Sequence, residues 1–166
     1  DLYAFTVKPP EHSGSRRRPA TERSMTASID SVDVLVWGGG TGGAAAAIQA
    51  ARGGASTLLL SPGSWLGGMV SAAGVCCPDG NELSPWQTGL WGAFLHELEQ
   101  LEPEGLDHNW VSCFGYRPLT AETILQSWLR QEPRLLWWPG CQLRGVEREG
   151  SLIRAVQLEV DGELRS

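Results

Sequence analysis

The sequence of 166 residues lacks any apolar run of the ~20 residues that a membrane-spanning helix needs. Its first 30 residues also lack the apolar core of a signal peptide. We therefore predict no membrane partner and a cytoplasmic protein.

Cysteine pairs with metal-binding or redox spacing are also missing. The cysteines, none of them in a CxxC pair, are Cys76, Cys77, Cys113 and Cys141. This excludes the usual zinc and thioredoxin-like motifs, and reduced thiols are the expected state. The adjacent pair Cys76 and Cys77 leaves a strained vicinal disulfide as a minor alternative.

Positive charge is scarce as well. The chain has 13 Lys and Arg against 19 Asp and Glu, for a net charge of −6. One basic cluster, at residues 16–18, lies in a segment rich in Pro, Ser and Arg and is expected to be solvated. Because phosphate backbones require clustered cations, we predict no nucleic-acid partner.

A hydrophobic content of 42% is sufficient for one globular domain. Residues 1–30 show no apolar period, and we predict a disordered head there. Met25 stands just before the first predicted strand, which suggests translation from this methionine as a hypothesis. Residues 31–166 are predicted to form an α/β domain that is truncated at its C-terminus.

The first folded unit reads as strand, glycine-rich turn, helix and strand. Residues 32–37 form a β-branched apolar run, residues 44–51 are strong helix formers, and residues 57–60 are apolar again. Gly53 and Gly54 supply a stop between the helix and the second strand. This pattern predicts a Rossmann-like βαβ unit with a parallel sheet.

The turn of this unit has the spacing Gly38-x-Gly40-x-x-Gly43. The first glycine permits a tight turn, the second lets a pyrophosphate approach the backbone, and the third lets the helix pack closely on the strand. The helix N-terminus then offers unpaired N–H groups to the phosphates. The predicted phosphate-binding residues are Gly38, Gly39, Gly40, Thr41, Gly42 and Gly43.

The rest of the chain predicts two inserted helices and a β-hairpin. A capping box at residues 84–87 begins the first helix, which ends before Pro103, and the second helix begins near Thr120. Residues 135–138 form a short strand, and residues 143–148 and 152–160 form an antiparallel hairpin. A turn at residues 161–162 begins a further strand.

Ser61 ends the second strand of the βαβ unit. Dinucleotide-binding domains place an acid there to accept hydrogen bonds from the adenosine ribose. Serine is an uncharged and weaker partner, and we predict that Ser61 takes this ribose-binding role.

Residues 67–69 (Gly-Gly-Met) resemble the glycine doublet of FAD-dependent oxidoreductases of the glutathione-reductase type. The longer stretches 65–69 and 79–92 are similar to one group of bacterial FAD-dependent oxidoreductases. This resemblance covers about residues 32–160.

The resemblance implies an FAD-binding domain and FAD as the cofactor. It implies that Gly67, Gly68 and Met69 meet the pyrophosphate and the ribityl chain, and that backbone groups at Leu143 contact adenine. The implied activity is hydride or electron transfer between a small-molecule substrate and the flavin. No two side chains form a convincing acid–base pair, so no catalytic residue is predicted, and no metal site is expected.

Two other functions are also compatible with the sequence. A nicotinamide-dependent dehydrogenase would use the same glycine-rich turn, although it would not explain the doublet or the hairpin. The second is that of a non-catalytic nucleotide-binding module. Neither the substrate nor the oligomeric state follows from the sequence.

Overall fold

A computed structural model describes residues 31–79, 87–102, 104, 106, 112–160 and 162–165. The predicted disordered head, residues 1–30, lies outside the described residues. The described chain forms a three-stranded parallel sheet, a three-stranded antiparallel sheet and three α-helices.

The parallel sheet contains β1 (Val34–Trp37), β2 (Thr57–Ser61) and β3 (Leu135–Pro139), in that order. β2 runs parallel to both neighbours, so the predicted parallel pairing of β1 and β2 is confirmed. All five residues of β2 are buried because it is the central strand.

Helix α1 (Thr41–Arg52) connects β1 to β2 and follows the glycine-rich turn directly. It ends where the sequence predicts, since the Gly53 N–H binds the Gln49 carbonyl at 2.9 Å and Gly54 has a φ of +93°. The βαβ unit is therefore present with its predicted order and connection.

Helices α2 (Gly89–Leu101) and α3 (Pro118–Gln131) connect β2 to β3. The predicted start of α2 at the capping box is wrong: Gln87 is not helical, and residues 84–86 lie outside the described residues. Gly89, the first residue of α2, has a φ of +60°. A right-handed helix does not continue through such a left-handed backbone, so α2 does not extend from Gly89 back to the capping box.

Helix α3 begins two residues earlier than predicted. Pro118 occupies its first position, where the missing N–H has no intrahelical partner to lose. The preceding N–H, that of Arg117, donates to the carboxylate of Glu102 at 2.9 Å, which supports the start of the helix.

The antiparallel sheet contains β4 (Cys141–Glu149), β5 (Leu152–Val160) and β6 (Glu163–Arg165). Glu149 pairs with Leu152 across a two-residue turn in which Gly150 has a φ of +61°. The predicted hairpin is confirmed, as is the additional strand after the second turn.

β2 lies between the two halves of the core because its side chains alternate between opposite faces. Leu59 faces a cluster formed with the helices, which includes Ile48, Leu98 and Ile124. Leu58 and Leu60 instead belong to a cluster with the antiparallel sheet. The domain is therefore layered as helices, parallel sheet and antiparallel sheet. Within the described ranges, no helix is long and apolar enough to cross a membrane.

Candidate functional site

The glycine-rich turn leaves the parallel sheet at the end of β1. The Gly38 N–H still donates to the Leu60 carbonyl of β2 at 2.8 Å, and Gly38 has a φ of +108°. A side chain at this position would be strained, whereas glycine adopts this backbone readily. The turn therefore starts as the spacing Gly38-x-Gly40-x-x-Gly43, the dinucleotide-binding fingerprint, predicts.

Gly43 allows α1 to pack against this turn. A Cβ atom built on Gly43 would lie 1.8 Å from the Gly38 carbonyl oxygen and 3.6 Å from Val36. No side chain fits at that distance, so the third glycine of the fingerprint has the packing role that the sequence assigns to it.

Gly40 faces open space. It is the N-cap of α1 with a φ of −66°, and a Cβ atom at this position would meet nothing within 4 Å. The first intrahelical bond runs from the Ala44 N–H to the Gly40 carbonyl at 2.9 Å. The earlier N–H groups, those of Thr41, Gly42 and Gly43, have no intrahelical carbonyl to bind and are available to an anion.

The glycine doublet lies against the same turn, 26 residues further along the chain. The Gly67 N–H donates to the Gly39 carbonyl at 2.8 Å, and the Thr41 hydroxyl donates to the Gly67 carbonyl at 2.7 Å. Gly40 and Gly67 form an isolated parallel bridge. The two segments therefore form one continuous backbone surface at the start of α1.

Gly68 makes this approach possible. A Cβ atom on Gly68 would lie 2.9 Å from the Cα of Gly40, and its φ is +52°. Gly67 has a φ of +102°, and its added Cβ would meet Leu125 of α3 at 2.7 Å. Met69 follows in a short 3₁₀ turn (Gly68–Val70) and is 63% exposed. Gly67 and Gly68 thus lie against the glycine-rich turn, and the Met69 side chain faces solvent.

Ser61 is placed differently from a typical ribose-binding residue. It is buried, its Oγ donates to the Gly63 carbonyl at 2.8 Å, and it accepts from the indole Nε1 of Trp137 at 2.9 Å. Its single hydroxyl proton is therefore already used within the protein. The ribose contact of Ser61 stays a prediction.

Leu143 lies in β4, opposite Leu158 of β5. Its half-buried side chain packs on the cluster that joins the antiparallel sheet to β2. This places it on the side of the parallel sheet that faces away from the helices. Its contact with adenine likewise stays a prediction.

Two residues of α3 contact the doublet loop (residues 66–71), and the sequence does not reveal these contacts. The buried carboxylate of Glu122 accepts a hydrogen bond from the Leu66 N–H at 3.4 Å, and Leu125 packs beneath Gly67. The only signal in the sequence is an acid inside the apolar stripe of an amphipathic helix. That pattern alone does not indicate which loop the acid contacts.

The residues present fit the pyrophosphate of a dinucleotide. Open space at Gly40 adjoins the unpaired N–H groups of the first helical turn, and a side chain on Gly40 would enter that space. No group of three or more His, Cys, Asp or Glu residues that could hold a metal ion occurs in the described part of the chain.

These features define a Rossmann-like dinucleotide-binding domain with a second glycine-rich segment against its glycine-rich turn. The model of the FAD dependent oxidoreductase family matches residues 33–166, and the chain belongs to this family. A comparison with curated proteins gave no match. The expected flavoprotein family and the FAD cofactor are confirmed by the family match.

The chain is similar to parts of solved structures, and AlpK, with a TM-score above 0.5, shows the shared fold. The crystal structure of AlpK matches with a TM-score of 0.55 and 18% identity over 83% of this chain and 30% of that chain. A geranylgeranyl bacteriochlorophyll reductase-like protein from Thermoplasma acidophilum matches with a TM-score of 0.48 and 19% identity over 78% of this chain and 35% of that chain. The chain thus spans about a third of the length of these proteins.

Proposed function

We propose that the glycine-rich turn and the doublet hold the pyrophosphate of FAD, and that the whole protein transfers hydride or electrons between a small-molecule substrate and this flavin. The observation that carries the proposal is the backbone surface formed by Gly39, Gly40 and Gly67. It brings together two glycine-rich segments and leaves the space in front of Gly40 open.

The chain's own residues bind and orient the cofactor. The N–H groups of Thr41, Gly42 and Gly43 donate to the phosphate oxygens, and the helix dipole favours the negative charge there. The Thr41 hydroxyl and the Gly67 backbone fix the distance between the two glycine-rich segments. FAD, when bound, supplies the redox chemistry, and the protein supplies its orientation and electrostatic environment.

We also propose that the protein acts in the cytoplasm on a soluble small molecule. The scarcity of clustered basic residues favours a small molecule over a nucleic acid as the substrate. The family favours FAD over a nicotinamide dinucleotide as the cofactor.

A substitution at Gly40 tests the proposal. Gly40→Val places a side chain in the open space where the pyrophosphate would approach, and we expect the purified protein to lose its flavin absorbance. Because that space holds no protein atoms and the φ of −66° suits any residue, the apo protein should remain folded.

Gly53→Val at the opposite end of α1 is the matched control. It adds the same side chain to the same helix, at a right-handed φ of −71°, far along the helix from the phosphate site. This variant should retain FAD. A Gly40→Val protein with the wild-type flavin content would refute the proposal, and titration with NAD in place of FAD distinguishes the nicotinamide alternative.

A further inference from the structure

Glu122 is a buried carboxylate on the face of α3 that lies beneath the doublet loop. It is 6% exposed, and its Oε1 accepts from the Leu66 N–H at 3.4 Å and from the Gln126 side-chain amide at 2.5 Å. A buried charge is costly unless such donors surround it, so its position depends on these two bonds. The fingerprint and the doublet do not account for its presence.

The peptide groups of Leu66 are held on both sides. Its N–H binds Glu122, and its carbonyl accepts from the hydroxyl of Ser71, which lies just beyond the doublet. Leu66 itself is fully buried. Leu66, which precedes the doublet, is therefore held by two side chains, in addition to the bonds that join Gly67 to the glycine-rich turn.

The support for Glu122 extends along α3. Gln126 is one helical turn further on, and its Oε1 in turn accepts from the guanidinium of Arg130. Residues four apart lie on the same face of a helix, so the three side chains form a line from solvent to the doublet loop. The side-chain NH₂ of Gln126 points toward the Glu122 carboxylate because Arg130 binds the oxygen of the same amide.

We propose that Glu122 is a positioning residue for FAD, which fixes Leu66 so that Gly67 and Gly68 meet the pyrophosphate in the correct geometry. This inference rests on the proposed function above. It assigns to α3, which lies outside both glycine-rich segments, part of the affinity for the cofactor. A misplaced doublet lowers that affinity even when the glycines themselves are unchanged.

If Glu122 only stabilised the fold, its removal would affect FAD affinity no more than the removal of another buried carboxylate. Glu102 provides this control. Glu102 is 7% exposed and also accepts a backbone N–H, that of Arg117 at 2.9 Å, at the start of α3. Glu102→Ala and Glu122→Ala therefore remove the same chemical group from equally buried sites. Of the two carboxylates, only that of Glu122 contacts the doublet loop.

The experiment compares Glu122→Ala, Glu122→Gln and Glu102→Ala in the full chain, with FAD affinity measured by flavin fluorescence and apo-protein stability by thermal unfolding. We expect Glu122→Ala to weaken FAD binding by about tenfold, because Leu66 loses one of the two side chains that hold it and the doublet moves from its binding geometry. Glu102→Ala should lower the melting temperature comparably and change the FAD affinity by less than about twofold. Glu122→Gln keeps an acceptor oxygen and should restore most of the affinity.

Amide hydrogen exchange supplies a readout that a purely structural role does not change selectively. Exchange at Leu66 and Gly67 should accelerate in Glu122→Ala and not in Glu102→Ala. If Glu122→Ala does not fold, Glu122→Asp decides, because its shorter side chain withdraws the carboxylate from Leu66 and should weaken FAD binding equally.

Equal FAD affinities in Glu122→Ala and Glu102→Ala, or in wild type and Glu122→Asp, would overturn the inference. A wild-type chain that does not bind FAD would instead refute the proposed function. The two failures are therefore distinguishable.

Discussion

The indole Nε1 of Trp137 on β3 donates a 2.9 Å hydrogen bond to the Oγ of Ser61 at the end of β2. The same hydroxyl donates to the Gly63 carbonyl at 2.8 Å. Ser61 therefore connects the central strand to its neighbour and to the loop that leads toward the doublet. The position that usually carries a ribose-binding acid has here a structural hydrogen bond.

We expect Ser61→Ala to lower the free energy of unfolding by about 1–2 kcal/mol, because it leaves the buried indole N–H without its acceptor. The loss of this hydrogen bond in Trp137→Phe should lower the free energy of unfolding by less, because the Ser61 hydroxyl keeps its bond to Gly63. The double variant should be less destabilised than the sum of the single ones, as urea denaturation would show in a double-mutant cycle.

FAD affinity in the same variants tests the predicted ribose contact. If Ser61 binds the ribose as predicted, Ser61→Ala should weaken FAD binding by about tenfold, whereas Trp137→Phe should leave the affinity within about twofold of wild type. Equal FAD affinities in these two variants would contradict the predicted contact.

We expect Gly43→Ala to destabilise the folded protein. The added Cβ would lie 1.8 Å from the Gly38 carbonyl oxygen, so α1 must move away from the turn. We expect a loss of about 1–3 kcal/mol in the free energy of unfolding, measured by urea denaturation of the apo protein. Gly40→Val in the same assay should cost less than about 1 kcal/mol, and the reverse order would contradict this assignment of the two glycines.

Tyr116 is buried with its ring edge-on to Phe94, and among the described residues its hydroxyl has no hydrogen-bond partner. We expect Tyr116→Phe to raise the free energy of unfolding at neutral pH by about 1 kcal/mol, since it removes an unsatisfied buried polar group and keeps the packing. Thermal and urea unfolding would measure this, and a clear destabilisation would contradict it.

Burial raises the pKa of Tyr116 above its ordinary value of 10.0, and the nearby Cys76 and Cys77 add to the effect. The unfolded chain therefore loses this proton at a lower pH than the folded protein. The stability of the wild type should fall as the pH rises above 10.0, relative to its value at neutral pH. In Tyr116→Phe this part of the alkaline loss should be absent, and identical pH profiles would refute the assignment.

Trp128 connects the three helices. Its indole N–H donates to Glu97 on α2, and the guanidinium of Arg52 on α1 lies 5.5 Å from its ring centroid. Trp128→Phe should lower the free energy of unfolding by about 1–2 kcal/mol through the lost hydrogen bond, with FAD affinity unchanged. Glu97→Gln retains an acceptor and should be much milder. A loss of FAD affinity in Trp128→Phe without a change in stability would contradict this structural role.

The sequence by itself determined the βαβ unit, the fingerprint turn and the C-terminal hairpin. These features depend on local patterns: a β-branched apolar run, glycines at fixed spacing, an alanine-rich helix and alternation with period two. Each pattern constrains the backbone of neighbouring residues, so no knowledge of distant contacts is needed. The start of α2 was missed because a local capping pattern competes with the left-handed backbone of Gly89.

Only the tertiary structure decided what surrounds the glycine-rich turn. The bond from Gly67 to Gly39, the use of the Ser61 hydroxyl by Trp137, and the position of Glu122 beneath Leu66 all join residues far apart in the chain. A buried polar side chain takes whichever partner the packing of sheet and helices brings to it, and this partner is not encoded in the residues beside it.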